Sequence, residues 1–388
     1  MKIPQSKRQV IIAFFMVGAV VATSLQLFLL QAQNGSDDLP VPARISVTPH
    51  DPILITSLAD FNLVNGVRSG SGTSEDPFVI SDWAIDASAA PGIYVIGTFA
   101  HFTIRNVTIN STAQQNSGIL FQGVSDVWIH NVTISNCSIG IDVEGVCSSI
   151  KIDDSSISRS AGHAIVRQFG TADYIDITGN TMFENDGTGI SLGSTSHFNI
   201  VSNAISTNDT SSGGRRGITL LGSSNGVVTG NTVSAVYNEA MSCTNSQNVV
   251  VASNSFSSVW HYDLQLMTCT DFLVYHNNFM GDHMAVPEQA YDNGGSSNAW
   301  NASWPVGGNF WTEYTGTDDH GGIGQDTGGP DGFGDTPYPF NVSQTDYYPL
   351  MASGPIEPIP EFPTVLLPII SVLALLFAVF RRPVRKEF

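Results

Sequence analysis

The chain has 388 residues, 13% of them charged, with 34 acidic against 15 basic side chains and a formal net charge of −19. Seven of the basic residues lie in the two ends, so the body sets eight basic groups against 33 acidic ones. That balance excludes a nucleic-acid partner, because phosphate contacts need clustered Lys and Arg.

In chain order, Lys2, Lys7 and Arg8 precede an apolar stretch from Val10 to Leu30. Residues 1–32 read as a signal sequence or an uncleaved N-terminal anchor. The stretch is long for a signal and Gln26 interrupts it, so both readings stand. Residues 33–55 are a polar, Pro-containing linker. Residues 56–90 form a cap on the array that follows, since terminal units of repeat arrays are atypical.

Residues 91–284 carry a unit of about 23 residues, repeated eight times. In each, one apolar residue follows another by five positions: Ile104/Ile109, Ile129/Ile134, Ile152/Ile157, Ile177/Met182, Ile200/Ile205, Val228/Val233, Val251/Phe256 and Val274/Phe279. From the fourth unit, Asn stands three after the first of the pair: Asn180, Asn203, Asn231, Asn254 and Asn277. A second apolar run, usually opened by Gly, recurs at 92–95, 118–121, 140–143, 189–192 and 217–220, with weaker copies at 164–167, 240–243 and 263–266. Short alternating runs of Ile and Val suit pleated strands. Ser, Asn, Gly and Asp between them supply turns. The expectation is an all-β, right-handed parallel β-helix of eight to nine coils, each of two or three strands. Equivalent residues then stack at about 4.8 Å, and eight coils make a rod roughly 38 Å long. The Asn column is expected to bond the backbone of neighbouring coils at a tight turn.

Residues 285–352 are Gly-, Asp- and aromatic-rich and are expected to wrap the last coil. Residues 353–363 are a Pro-rich linker. Residues 364–388 hold an apolar segment, Val365 to Phe380, followed by Arg381, Arg382, Arg385 and Lys386. An apolar helix is expected at each end. The basic flanks place both termini in the cytoplasm and the body outside, anchored to the cell membrane or cell surface. Cys137, Cys147, Cys243 and Cys269 are an even count, which outside the cell suggests disulfides; buried free thiols are the equal alternative. Eight N-x-S/T sequons agree with an exported setting.

The opening GSGTSEDPFVISDWAID, the coils, and the ending YHNNF…QAYDNGGSSNAW…GGNFWTEY…DGFGDTPYPF…DYYPLM resemble archaeal right-handed parallel β-helix surface proteins. These are related to NosD-type periplasmic copper-associated proteins and to carbohydrate-binding and sugar-hydrolysis β-helix domains. PEFP at 360–363, the apolar span and Arg381-Arg382 are similar to PEF-type archaeal sorting signals. That resemblance implies removal of the tail by an archaeosortase-type processing enzyme and attachment to the surface; a plain membrane anchor is the alternative.

Chemistry is sought in the turn before each Gly-Ile strand. Successive coils place there Arg159 and His163, Glu184 and Asp186, Asp209, Arg215 and Arg216, Tyr237 and Glu239, then Trp260, His261 and Asp263. Stacked turns make a stripe. Tyr237, Trp260 and His261 offer rings to a glycan, with Asp186 and Arg216 as polar partners. Glu239 and Asp263, placed in neighbouring slots, are the candidate catalytic acid and base. Two metal constellations also occur. His276, Met280, His283 and Met284 have the soft donors that suit Cu(I). Asp318, Asp319, Asp326, Asp331 and Asp335 lie in a Gly-rich loop of the kind that folds oxygens around Ca²⁺. The function read from these features is a surface-anchored β-helix for recognition or envelope structure that binds a polysaccharide or surface glycan. A polysaccharide hydrolase or lyase and a copper-associated maturation factor are the alternatives.

Overall fold

The computed structural model describes residues 47–354, except 208–214, 282, 287, 294–296 and 342–343. The two terminal apolar segments and Asp209 lie outside the described residues. Within them no helix is long and apolar enough to cross a membrane. Two short 3₁₀ turns, Leu58–Asp60 and Leu63–Asn65, are the only helical elements among the described residues.

Strands stack in parallel into three sheets, named here in the order A, B and C. Each coil runs through B, then C, then A. The first coil without a long insertion is Ile93–Thr98, Phe102–Arg105 and Thr108–Asn110; the eighth from there is Leu264–Met267, Thr270–Tyr275 and Asn278–Met280. A ninth is made by Ala290–Asp292, a bridge at Ala299, and Phe310–Trp311. The result is a right-handed parallel β-helix. All eight apolar pairs stack in the expected register. Sheet A aligns Ile109, Ile134, Ile157, Met182, Ile205, Val233, Phe256 and Phe279. Sheet C aligns Ile104, Ile129, Ile152, Ile177, Ile200, Val228, Val251 and Val274. Every one of these side chains is buried in the bore.

The Gly that opens five of the sheet B strands has a steric cause. A Cβ at Gly118 would lie 2.5 Å from Ile134, and one at Gly217 would lie 2.3 Å from Val233. The same column continues as Ala240, Asp263 and Gln289.

The bend from sheet C to sheet A holds the Asn ladder. Asn231 Oδ1 accepts the Asn203 amide at 2.9 Å, and Asn231 Nδ2 donates to Ile200 O at 2.8 Å and to Asn254 Oδ1 at 2.9 Å. The pattern repeats from Asn180 to Asn277 and extends one coil further, to Asn309. Asp346 ends it: its carboxylate accepts the amides of Asn309 and Tyr348 and the indole N–H of Trp311. Burial pushes the Asp346 carboxyl up to about 6 against the pull of those donors.

Two boundaries shift from the sequence reading. Thr48–His50 and Ile53–Ile55, placed in the linker, are strands that pair with Trp83–Asp86 and Ile93–Thr98. Residues 290–311, placed in the wrap, supply the ninth coil. Its open end is closed by rings: Trp311 lies 4.3 Å from Phe279 and Trp300 lies 4.4 Å from Phe340. All four cysteines are buried free thiols.

Candidate functional site on the edge between sheets A and B

The turn from sheet A to sheet B varies in sequence from coil to coil, and the structure collects those residues into one edge. Opposite charges pair along it. Arg159 Nε meets Glu184 at 2.7 Å, Arg215 meets Asp186 at 2.6 Å, and Arg216 Nε meets Glu239 Oε2 at 2.5 Å. His163 accepts the Thr188 amide through Nδ1 at 3.0 Å, and burial holds its imidazole below the usual value.

Rings follow the charges. Tyr237 and Trp260 stack with centroids 5.9 Å apart and planes 9° from parallel. His261 lies 6.5 Å from Tyr237, and Tyr262 lies 5.4 Å from Tyr291 on the next coil. All five rings are half-buried, each with a face or edge in solvent. Beside them the outward row of sheet B aligns Thr219, Ser242, Gln265 and Tyr291, with Ser242 Oγ bonded to Gln265 at 3.2 Å. Burial, with the charges of Glu288, Tyr291 and Glu239, raises the Tyr262 hydroxyl above its ordinary value. The edge is therefore an aromatic platform bounded by carboxylates and floored by small polar groups. Tyr237, Trp260, His261 and Glu239 belong to it, and Arg216 borders it. Asp186 lies on an earlier coil and pairs with Arg215. Tyr262, Tyr291 and Glu288 were missed in the sequence.

The register places the proposed catalytic pair in neighbouring slots, with the two side chains in different surroundings. Sheet B aligns Ile218, Met241 and Leu264, so Arg216, Glu239 and Tyr262 share a slot. Asp263 stands one residue on, in the Gly column, and is fully buried. Its Oδ2 accepts the Gly281 amide at 3.1 Å and lies 3.3 Å from His283 Nε2. Burial pushes the His283 imidazole down, but the hydrogen bond and charge of Asp263 outweigh it and hold it above its usual value. Asp263 thus faces inward, away from any ligand on the edge. Glu239 is also buried, with its carboxylate bonded to Arg216 at the border of the platform.

The soft-donor set does not offer a shared centre. His276 sits at the bend from C to A with φ +55° and places Nε2 on Val306 O at 2.5 Å. His283 lies past the other end of that sheet A strand, with Nδ1 on His261 O at 2.7 Å. Met284 is 68% exposed. In the acidic loop the carboxylates serve the loop's own amides. Asp318 accepts from Asp331 and Gly332, Asp331 from Gly322, and Asp335 from Asp319 and His320, all at 2.9–3.0 Å. Among the described residues, one group of three His, Cys, Asp or Glu has converging ligand atoms, and none of the five loop aspartates is in it.

A family model described as a periplasmic copper-binding protein (NosD) matches residues 168–316, and one described as a right handed beta helix region matches residues 65–212. No curated protein matches. Among solved structures, the chain is similar to the A-module of the mannuronan C-5 epimerase AlgE6 of Azotobacter vinelandii, with a TM-score of 0.49 and 14% identity over 68% of this chain and 77% of that one. It is also similar to DFA-IIIase from Arthrobacter chlorophenolicus A6 without its lid, with a TM-score of 0.43 and 14% identity over 66% and 80%. Tailspike protein 3 of bacteriophage CBA120 gives 0.35 and 13% over 66% and 56%. Likenesses this distant carry nothing about chemistry.

Proposed function

We propose that this β-helix is a surface-displayed glycan-binding protein whose ligand lies along the edge between sheets A and B. The observation that carries the reading is the parallel pair Tyr237–Trp260, continued by His261, Tyr262 and Tyr291 on adjacent coils. Rings repeating at coil spacing match a ligand that itself repeats, as a polysaccharide does. Aromatic faces bury apolar sugar surface while their polar edges stay wet. Carboxylates and Arg216 beside them supply hydrogen-bond partners for hydroxyls. Surface display is supported by the two terminal apolar segments with basic outer flanks; the PEFP tail adds the processing route by an archaeosortase-type enzyme.

The enzymatic reading has less support, because Asp263 is buried and Glu239 is paired. The copper reading has least, because His276 and His283 are held apart by their own hydrogen bonds. The deciding experiment screens the full chain against immobilised polysaccharides, scoring retention and reducing-end release together. Retention without release, weakened by Trp260→Ala, is the expected result. Release that Glu239→Gln abolishes would instead establish the enzyme.

A further inference from the structure

The outer face of sheet C carries an aromatic and polar cluster that the edge does not use. Trp128 points outward from the strand Ile119–His130 and is 41% exposed. Its indole is clamped. Nε1 donates to Asp153 Oδ1 at 2.9 Å. Lys151, its register partner on the next coil, places Nζ 5.1 Å from the ring centroid and 2.7 Å from Asp153 Oδ2. His130 reaches the same Asp153 Oδ1 at 2.7 Å, with its ring 5.2 Å from the indole.

His130, Asp153 and Asp154 are the group whose ligand atoms converge within 4.8 Å. It does not read as a cation site. Lys151 already sits on one Asp153 oxygen, and Trp128 and His130 share the other. Burial raises the Asp153 carboxyl, but these bonds outweigh it and hold it below the usual range. The cluster's role is to fix the plane of the indole, and a fixed ring loses little entropy on binding.

Toward the preceding coil, where Thr103 is the register partner, the indole borders a shallow, open hollow of about 220 Å³. Ser74, His101, Thr103, Asp126 and Ser149 line it. Sites for drug-sized ligands run to roughly 300–1,000 Å³, so this one suits a single ring. One flat apolar wall with hydroxyl, imidazole and carboxylate groups around it matches a pyranose, which has an apolar C–H face and a rim of hydroxyls. Asp126 disfavours an anionic sugar.

We propose that the Trp128 hollow is a second carbohydrate subsite, taking one neutral pyranose ring stacked on the indole, with Asp126 and His101 bonding its hydroxyls. It deepens the glycan-binding reading and rests on it for biological sense, but it uses a different sheet, five coils away.

The test labels the full chain with 5-fluorotryptophan and titrates methyl mannoside, glucoside and galactoside, then glucuronate, by fluorine NMR. Trp128→Phe assigns its resonance among the six. A saturable shift of the Trp128 resonance with at least one neutral glycoside, little response to glucuronate, at least tenfold weakening by Asp126→Ala, and no change in Trp260→Ala are expected. No shift at Trp128 with any neutral glycoside, an equal response to glucuronate, or loss of the shift in Trp260→Ala would overturn the proposal. A shift at Trp260 alone would leave the edge reading standing and sink this one. A shift at Trp128 alone would support this subsite, while the edge reading stands or falls by the polysaccharide screen.

Discussion

At the bend from sheet C to sheet A one residue type recurs on six coils, Asn180 through Asn309, each side chain buried. At the edge from sheet A to sheet B the occupant of a slot changes from coil to coil: Arg159 gives way to Glu184, and Arg216 to Glu239 and then Tyr262. The first corner spends its side chains on backbone hydrogen bonds that water cannot reach. The second leaves its rings half in solvent and pairs its charges, with Glu239 and Asp263 buried beneath them. A solenoid needs only one uniform corner to hold its coils in register. The other is free to vary, and variation is what a recognition surface requires.

The contrast can be broken from either side. The largest effect is expected in the bore. Ile205→Asp puts an unpaired charge between Met182 and Val233 and should cost about 4 kcal/mol or more. Thermal melting checks it, and an unchanged Tm would contradict the register. Asn231→Ala should come next, at about 3 kcal/mol, because it strands the Asn203 amide and the carbonyls of Ile200 and Thr229.

Asp346 adds a pH dependence. Its folded pKa of about 6 lies above the unfolded carboxyl value. The native state therefore holds the proton more tightly, and its contribution is complete at low pH and lost as pH rises through about 6. Asp142, outward on sheet B, is also pushed up to about 6 by burial and by Glu144, and acts in the same window. Melting between pH 4 and 7 should show that loss in the wild type and a shallower one in Asp346→Asn. The variant should also be less stable overall, since both carboxylate oxygens accept N–H donors that an amide nitrogen would oppose. An identical pH slope in the two proteins would remove Asp346 from the account.

The smallest effects belong to the variable corner and the acidic loop. Arg159→Ala should change stability by about 1 kcal/mol or less, because the Arg159–Glu184 pair is largely solvated. Melting with chelator and with millimolar Ca²⁺ tests the calcium reading of the loop, because Asp318, Asp331 and Asp335 keep carboxylate lone pairs beyond the loop amides they accept. A clear rise in Tm with Ca²⁺ would support that reading, and equal curves would retire it.

The uniform corner and the bore were legible in the sequence because they repeat. The step from Ile129 to Ile152, or from Asn231 to Asn254, is the register itself. The ladder's last member was hidden: Asn309 follows Asn277 by 32 residues, and the intervening chain breaks the period. The edge was legible as a stripe but not in its geometry. The 23-residue step from Glu239 reaches Tyr262, so Asp263 falls in the neighbouring slot that the count gives. What the count did not show is that this slot is the Gly column, where a side chain is buried. Trp128 left no such signal, because its clamp is assembled from one strand and its neighbour on the next coil.

The central claim is that the two corners divide the labour, one holding the fold and the other the ligand. A paired measurement on Asn231→Ala and Trp260→Ala tests it most directly, recording Tm and retention on the best-bound polysaccharide for each. The account predicts a crossed pattern. Asn231→Ala loses several degrees of Tm and keeps retention at a temperature where it is folded, whereas Trp260→Ala keeps its Tm and loses retention at least tenfold. Unchanged retention in Trp260→Ala, with Asn231→Ala no less stable than the wild type, would contradict it.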